Sequence, residues 1–307
     1  MAKILLIGKD GQVGRELQST LLPLGYVSAV DRSQLDLCNP TAVQRTIRDS
    51  KPTIIVNAAG YTTVDKAESE RELTMSINTA APGVMAEAAR EVGALLVHYS
   101  TVFVFDGAKN TPYLESDTPR PLNAYGASKL AGERAIMGCG GRYIILRAGW
   151  TYSDRRTNFP LTILRLAREK RELRIVADQI GTPTSARQYA EATAQLLRRC
   201  EKSVDCTGIY HLSAGGSVSR YHWAAMIIDA ARERCTGQTD WARLVPIATA
   251  AYESPARRPL YSVMDTSKVE RAFGIRMADW HEQFDAFLRN LPMSVYTGGP
   301  LQDVSDV

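Results

Sequence analysis

The segment Gly8-Lys9-Asp10-Gly11-Gln12-Val13-Gly14 constrains the fold of this chain more than any other stretch. It follows the apolar run Lys3–Ile7, which reads as a strand, and opens Gly11–Leu22, which reads as an amphipathic helix. A GxxGxxG turn in that context lets the backbone approach a pyrophosphate closely. The helix start beyond it offers free N–H groups and the positive end of a dipole. Gly8, Gly11, Gln12, Val13 and Gly14 are therefore candidate dinucleotide contacts.

The same rhythm continues downstream. Tyr26–Val30, Thr53–Val56, Ala94–Tyr99 and Tyr143–Arg147 read as strands, and Pro40–Arg48, Ile77–Val92 and Tyr125–Met137 as helices. Alternation of this kind predicts an α/β fold with a Rossmann-type, doubly wound parallel sheet over residues 1–150. After residue 150 the rhythm loosens. Helices at Phe159–Arg168, Ala186–Arg199 and Tyr221–Arg234, with short strands at Arg174–Ala177 and Ile209–Leu212, predict a smaller C-terminal lobe over 151–291. Strands near 174–184 and 209–213 are free to return to the main sheet. Residues 292–307 lack periodicity and read as a flexible tail.

Composition excludes other classes. A chain of 307 residues buries enough surface to fold without disulfides or metals. Lys and Arg number 37 against 33 Asp and Glu, and a net charge of +4 gives no case for nucleic acid. No run approaches the roughly 18 apolar residues of a membrane span, and Ile4–Ile7 is too short for a secretory leader. Five cysteines without CxxC spacing read as reduced thiols in a cytoplasmic protein, and four scattered histidines give no zinc signature.

Further candidates lie where the other strands end. Asp31-Arg32 closes the second strand, where a carboxylate suits NAD ribose hydroxyls and an arginine a 2′-phosphate; the pair leans toward NADPH, with NADH allowed. Asp36-Leu37 offers either a carboxylate for the adenine amino group or a turn. Ala58, Ala59 and Gly60, after Asn57, are small enough to let a flat cofactor pass. Tyr125 and Lys129 stand four apart on one helix face, where an ammonium lowers a phenol's pKa and makes it a proton donor near neutral pH. Thr101 ends a strand where it can polarise a carbonyl. The run Asp65-Lys66-Ala67-Glu68 reads as a charged helix face.

These pieces resemble the extended short-chain dehydrogenase/reductases and, within them, the dTDP-4-dehydrorhamnose reductase family. The resemblance spans about residues 3–290, carried by GKDGQVGREL (8–17), NAAGYTTVDKAE (57–68), the Asn78 region, HYSTVFVFDG (98–107), PYLESDTPRPLNAYGASKLAGE (112–133), DQIGTPT (178–184) and ARRP (256–259). It implies reduction of the C4 ketone of a dTDP-linked 4-keto-6-deoxy sugar. In that chemistry Tyr125 gives the proton, Lys129 lowers the Tyr125 pKa and holds the nicotinamide ribose, and Thr101 stabilises the oxyanion.

Two substrate-side positions depart from the family pattern: Val102 stands for an Asp and Phe103 for a Tyr. Neither can serve the acid chemistry of the related dehydratases, which favours plain reduction. Tyr261 stands where the family often has Asn. Trp150 packs either against the sugar or base or between lobes. Gln179 lies in a Gly/Pro loop suited to ligand contact, and Arg257 and Arg258 either meet the diphosphate or stand in solvent. Some family members form magnesium-bridged dimers; Glu16 matches one ligand, but Arg187 stands where a second carboxylate is expected. The expectation is thus no metal site and a monomer or weak homodimer. Two other readings stay open: a reductase of another nucleotide-linked 4-keto sugar, and a non-catalytic NADP-binding regulatory subunit.

Overall fold

The computed structural model describes residues 1–200, 206–237 and 240–298. The first half alternates β1 (Ala2–Ile7), α1 (Gln12–Thr20), β2 (Gly25–Val30), α2 (Pro40–Ser50), β3 (Ile54–Asn57), α3 (Arg71–Met75), α4 (Ala81–Val92), β4 (Leu95–Thr101), α5 (Ala124–Gly138) and β5 (Tyr143–Ala148). The second half adds β6 (Thr151–Tyr152), α6 (Phe159–Glu169), β7 (Glu172–Val176), β8 (Ile180–Gly181), β9 (Thr184–Ser185), α7 (Ala186–Cys200), β10 (Gly208–His211), β11 (Val218–Ser219), α8 (Arg220–Arg234), β12 (Arg243–Ile247), α9 (Ser267–Phe273), α10 (Trp280–Asn290) and α11 (Met293–Thr297).

Six parallel strands form the main sheet in the order β10-β5-β4-β3-β1-β2. The strands are apolar on both faces, as burial between two helix layers requires. Ile4, Leu6, Val56 and Val97 point toward the layer containing α1 and α7, whereas Leu5, Ile7, Ile55 and Leu96 point toward α2 and α4. Beneath β4 and β5 lies a buried ion pair: Arg147 reaches Glu133 of α5 at 2.7 Å, and Ser100 Oγ donates to the same carboxylate. It clamps α5, which carries Tyr125 and Lys129, to the strand beside Thr101.

The second half divides between two cores rather than forming one contiguous lobe. Of the two segments free to return to the sheet, β10 does so beside β5, while β7 pairs with β12 in a separate two-stranded sheet. Tyr189, Leu196 and Leu197 of α7 and Val269 and Phe273 of α9 also join the main core. The lobe proper is an aromatic cluster of Trp150, Tyr152, Trp223, Trp280, Phe284 and Tyr296.

Two expectations are corrected. The helix expected over Ile77–Val92 begins at Ala81, because Ser76–Ala80 form a π turn that swings Asn78 inward. The tail expected from residue 292 begins ordered: Met293–Thr297 is helical, Val295 and Tyr296 are buried, and Arg168 donates to the Val295 carbonyl at 2.8 Å. The apolar pair Val295 and Tyr296 is too short to register as a periodic stretch. The end of that expected tail, residues 299–307, lies outside the described residues.

Candidate active site

The strands β1 to β5 deliver their carboxyl ends to one edge, where open α/β sheets form their sites. At β1 the chain turns at Gly8 with φ +90°, a conformation that favours glycine. A Cβ on Gly14 would lie 1.9 Å from the Gly8 carbonyl oxygen, so helix and turn pack backbone to backbone. The helix starts at Gly11 without a side-chain cap, which leaves its first N–H groups for an anion. Gly11 and Val13 lie in this turn and helix start as the motif implies. Gln12 lies at the same helix start, and its side-chain oxygen accepts from Ser153 Oγ at 2.9 Å and Asn158 Nδ2 at 3.2 Å, joining the turn to the lobe.

At the end of β2, Asp31 accepts from Ser33 and pairs with Lys9 at 2.9 Å. The Ser33 hydroxyl and then Lys9 hold this carboxyl far below the usual range. Arg32 beside it is exposed. Lys9 sits inside the glycine motif with nothing in its spacing to mark it, and the fold brings it to Asp31. Asp36 accepts from the Cys38 N–H at 2.9 Å, the turn geometry, and the Leu37 side chain is buried in the core. At the end of β3, Ala59 lies against Gly8, and a Cβ on Gly60 would sit 3.9 Å from Lys129 Nζ. Asn78 pins this loop, accepting from the Tyr61 N–H at 2.9 Å and donating to its carbonyl at 3.0 Å.

The fold brings Thr101, Tyr125 and Lys129 together. Asn123 caps α5 through the Gly126 N–H at 2.8 Å. Gly126 is pressed so closely on the chain after β4 that a Cβ would lie 2.2 Å from the Phe103 carbonyl oxygen. This contact brings Tyr125 to Thr101, whose hydroxyl is the one group that favours the Tyr125 phenolate. Thr101 Oγ1 also accepts from the Phe103 N–H at 3.2 Å, and the Phe103 ring meets the Tyr125 ring edge-on at 6.0 Å. The run around Glu68 is more than the charged face it resembles in sequence. Glu68 accepts from the Ala124 N–H at 2.8 Å at the start of α5, and Asp65 pairs with Arg258 at 2.7 Å.

The expected lowering of the Tyr125 pKa by Lys129 is not what the pocket does. Burial raises Tyr125, and only the nearby Thr101 hydroxyl opposes it. Lys129 Nζ is engaged elsewhere: it donates to the Tyr99 carbonyl at 2.6 Å and lies 3.1 Å from His98 Nε2. His98 is fully buried, and burial together with Lys129 keeps it neutral. Asn57 Oδ1 accepts from the Ala59 N–H, so its Nδ2 donates to His98 Nδ1 at 3.0 Å and the ring proton sits on Nε2. That proton points at the Lys129 nitrogen, a geometry suited to the neutral amine. Burial, against the attraction of Glu133, brings Lys129 down to about 8.

Of the substrate-side candidates, Val102 is corrected. It is 1% exposed and packs with Val104, Phe105 and Tyr113, because Gly149 presses on it and turns it inward. Phe103 and Tyr261, the other two departures, lie partly buried against that same cluster. Trp150 has φ +46°, a strained value held by Tyr189, whose hydroxyl accepts from the Gly149 N–H at 3.0 Å and donates to its carbonyl at 2.8 Å. Gln179 is buried and donates to Thr249 Oγ1 at 3.2 Å. Arg257 is exposed, whereas Arg258 is committed to Asp65. A residue that sequence reading missed lies beside them: Arg220, stacked on Trp150 at 3.9 Å. Arg187 pairs with Glu191 at 2.9 Å, and among the described residues no three His, Cys, Asp or Glu side chains gather as a metal site.

Sheet, glycine turn and the Thr–Tyr–Lys cluster together define an NAD(P)H-dependent oxidoreductase of the short-chain dehydrogenase/reductase type. The family described as RmlD substrate binding domain matches residues 2–293. The chain is 44% identical over 295 residues to a dTDP-4-dehydrorhamnose reductase of Burkholderia thailandensis, covering 94% of this chain and 99% of that one. It is 43% identical to the enzyme of that name from Escherichia coli K12, covering 94% and 97%. The crystal structure of a Bacillus anthracis dTDP-4-dehydrorhamnose reductase in complex with NADP superimposes with TM-score 0.86 at 34% identity, covering 94% of this chain and 99% of that chain. The chain belongs to the dTDP-4-dehydrorhamnose reductase family.

Proposed function

We propose that this protein reduces the C4 ketone of dTDP-4-dehydro-L-rhamnose to dTDP-L-rhamnose with NADPH, the last step in making that sugar donor for cell-surface polysaccharide. The observation that carries the reading is the approach of Tyr125 to Thr101 on the sheet edge that also carries Lys129 and the glycine turn. The residues present fit the cofactor: the Gly8–Gly14 cradle leaves no room for a Cβ at Gly14, and the helix behind it is uncapped. Its backbone would hold the pyrophosphate, Ala58, Ala59 and Gly60 would line the passage, and Lys129 would hold the nicotinamide ribose. Lys9 and Arg32 flank the end of β2, and two cations there favour a 2′-phosphate over the bare hydroxyls of NADH. Bound NADPH supplies the hydride.

The chain supplies the proton and its placement. Because Tyr125 is raised, it is fully protonated at neutral pH, the state a proton donor requires. Thr101 accepts from the Phe103 N–H, so its own hydroxyl proton is available to the developing alkoxide or to Tyr125. Val102 and Phe103 offer no acid to eliminate water, which supports simple reduction. Five free cysteines fit a cytoplasmic enzyme, and we read it as a monomer or weak homodimer. The test is loss of reduced-nicotinamide absorbance with the 4-keto sugar made in place by its dehydratase and epimerase. NADPH and NADH are run in parallel and the product is identified by NMR. Rapid oxidation giving dTDP-L-rhamnose is expected; no oxidation by either cofactor would overturn the reading.

A further inference from the structure

Arg220 opens α8, and its guanidinium lies 3.9 Å from the Trp150 ring centroid, 4.8 Å from Phe159 and 5.9 Å from Trp223. Its backbone N–H donates to the Gln179 carbonyl at 3.0 Å. Among the described residues its side chain has no carboxylate and no hydrogen-bond acceptor. The charge acting on it is another cation: burial and then Arg258 press its pKa down to about 9. Arg258 is satisfied by contrast, with Asp65 on one nitrogen and Ser254 and Ala256 on the other. A partly buried guanidinium with five donors and a like-charged neighbour is expensive to keep. Stacking on three aromatic rings offsets part of that cost and leaves the donors at the edge of the fork without an acceptor among the described residues.

The position of this stack joins it to the chemistry. Trp150 follows Gly149, on which a Cβ would stand 2.7 Å from Val102, and Val102 follows Thr101. Trp150 therefore joins Arg220 to the segment that carries the proposed oxyanion donor. A sugar whose C4 oxygen meets Thr101 and Tyr125 has its anomeric end, and the diphosphate on it, on the far side of the ring.

We infer that Arg220 is the diphosphate ligand of the nucleotide sugar, its planar fork gripping the phosphoryl oxygens while Trp150 holds it in plane. This rests on the reading of the substrate as a nucleoside-diphosphate sugar. Arg258 lends positive potential from behind its Asp65 pair.

The test is calorimetric titration of the full chain, saturated with NADPH, with dTDP and separately with thymidine. In R220Q, dTDP should bind about 10- to 100-fold more weakly while thymidine is unchanged, the loss expected for a charge-assisted double contact. R220K should recover part of the dTDP affinity, because charge returns without the fork. In turnover, KM for the sugar should rise and kcat should hold. Should R220Q fail to fold, R220K carries the test with a smaller loss. Equal dTDP affinity in wild type and the folded variants would overturn the assignment of Arg220 alone. A wild type that binds no dTDP would overturn the substrate reading and this inference with it.

Discussion

The two walls of the site are built on opposite plans. On the sheet side the polar groups are partnered: Asn57 with His98, His98 with Lys129, Lys129 with the Tyr99 carbonyl, and Asn78 with Ser128 and the Tyr61 backbone. On the lobe side Trp150 is strained and Arg220 stacks without an acceptor among the described residues. The sheet side is arranged to place one proton at one point, and a partnered network resists movement. The lobe side keeps unspent binding capacity, which only an arriving anion can use. Proton placement is thus fixed in advance, and recognition is left to complete itself when the substrate arrives.

The comparison breaks most visibly at Tyr125. Tyr125→Phe removes the proton and leaves the ring against Phe103, so turnover should fall by about 10²- to 10⁴-fold. NADPH affinity, measured by fluorescence titration, should stay within about twofold. Retained turnover would remove Tyr125 as the donor. The next largest effect lies beneath, in the pair that holds α5 to β5. Glu133→Gln leaves the Arg147 guanidinium buried without its counter-ion, at a cost of about 3–5 kcal/mol in urea unfolding. Replacing both, as Glu133→Leu with Arg147→Met, should recover most of that loss. A single variant as stable as the wild type would show that the pair does not secure the sheet side.

Legibility in the sequence divides along the same line. The glycine turn, Thr101 and the Tyr125–Lys129 pair are legible because each is fixed by local spacing on one strand or helix: four residues on a helix share a face whatever packs around it. The parallel sheet is legible for a similar reason, in apolar runs of strand length. Glu68 is not, because its partner Ala124 lies 56 positions away and nothing near Glu68 distinguishes it from a solvated acid. His98 reads as one more residue of a buried strand until Asn57 and Lys129 are brought to its two nitrogens. Arg220 begins a helix whose sequence says nothing of Trp150, 70 positions upstream. Val102 misleads in the other direction: it follows Thr101 at the strand's end, but the 3-10 turn Val102–Val104 carries it into the core. The packing of α7 and α9 on the main core is not legible either, because it is made by contacts of high sequence separation.

A pH profile sharpens the sheet side further. Lys129 sits near 8 because its ammonium is desolvated. If the ammonium is what holds the ribose, kcat/KM for NADPH should fall above about pH 8, approaching tenfold per pH unit, as the proton is lost. Stability carries the opposite sign. The unfolded lysine keeps its proton to about 10.4, so between roughly pH 8 and 10.4 the unfolded chain binds more protons and this group's contribution to stability rises with pH. Lys129→Met should abolish the basic limb of the activity profile. A limb that persists in that variant would assign it to another group.

The smallest expected effect lies where the sheet side meets solvent. Lys9 neutralises Asp31 at 2.9 Å, and the Ser33 contacts fix that carboxylate in place. With Lys9 present, the end of β2 shows net positive charge to a 2′-phosphate; with Lys9→Met, Asp31 stands as an unbalanced anion beside Arg32. The pair is partly exposed and screened by salt, so the change is modest. The ratio of kcat/KM for NADPH over NADH should fall about two- to fivefold at low ionic strength, and less in 0.5 M salt, through a weaker grip on NADPH rather than a better one on NADH. A ratio that rises, or one indifferent to salt, would mean that Lys9 serves Asp31 alone and that Arg32 carries the phosphate preference by itself.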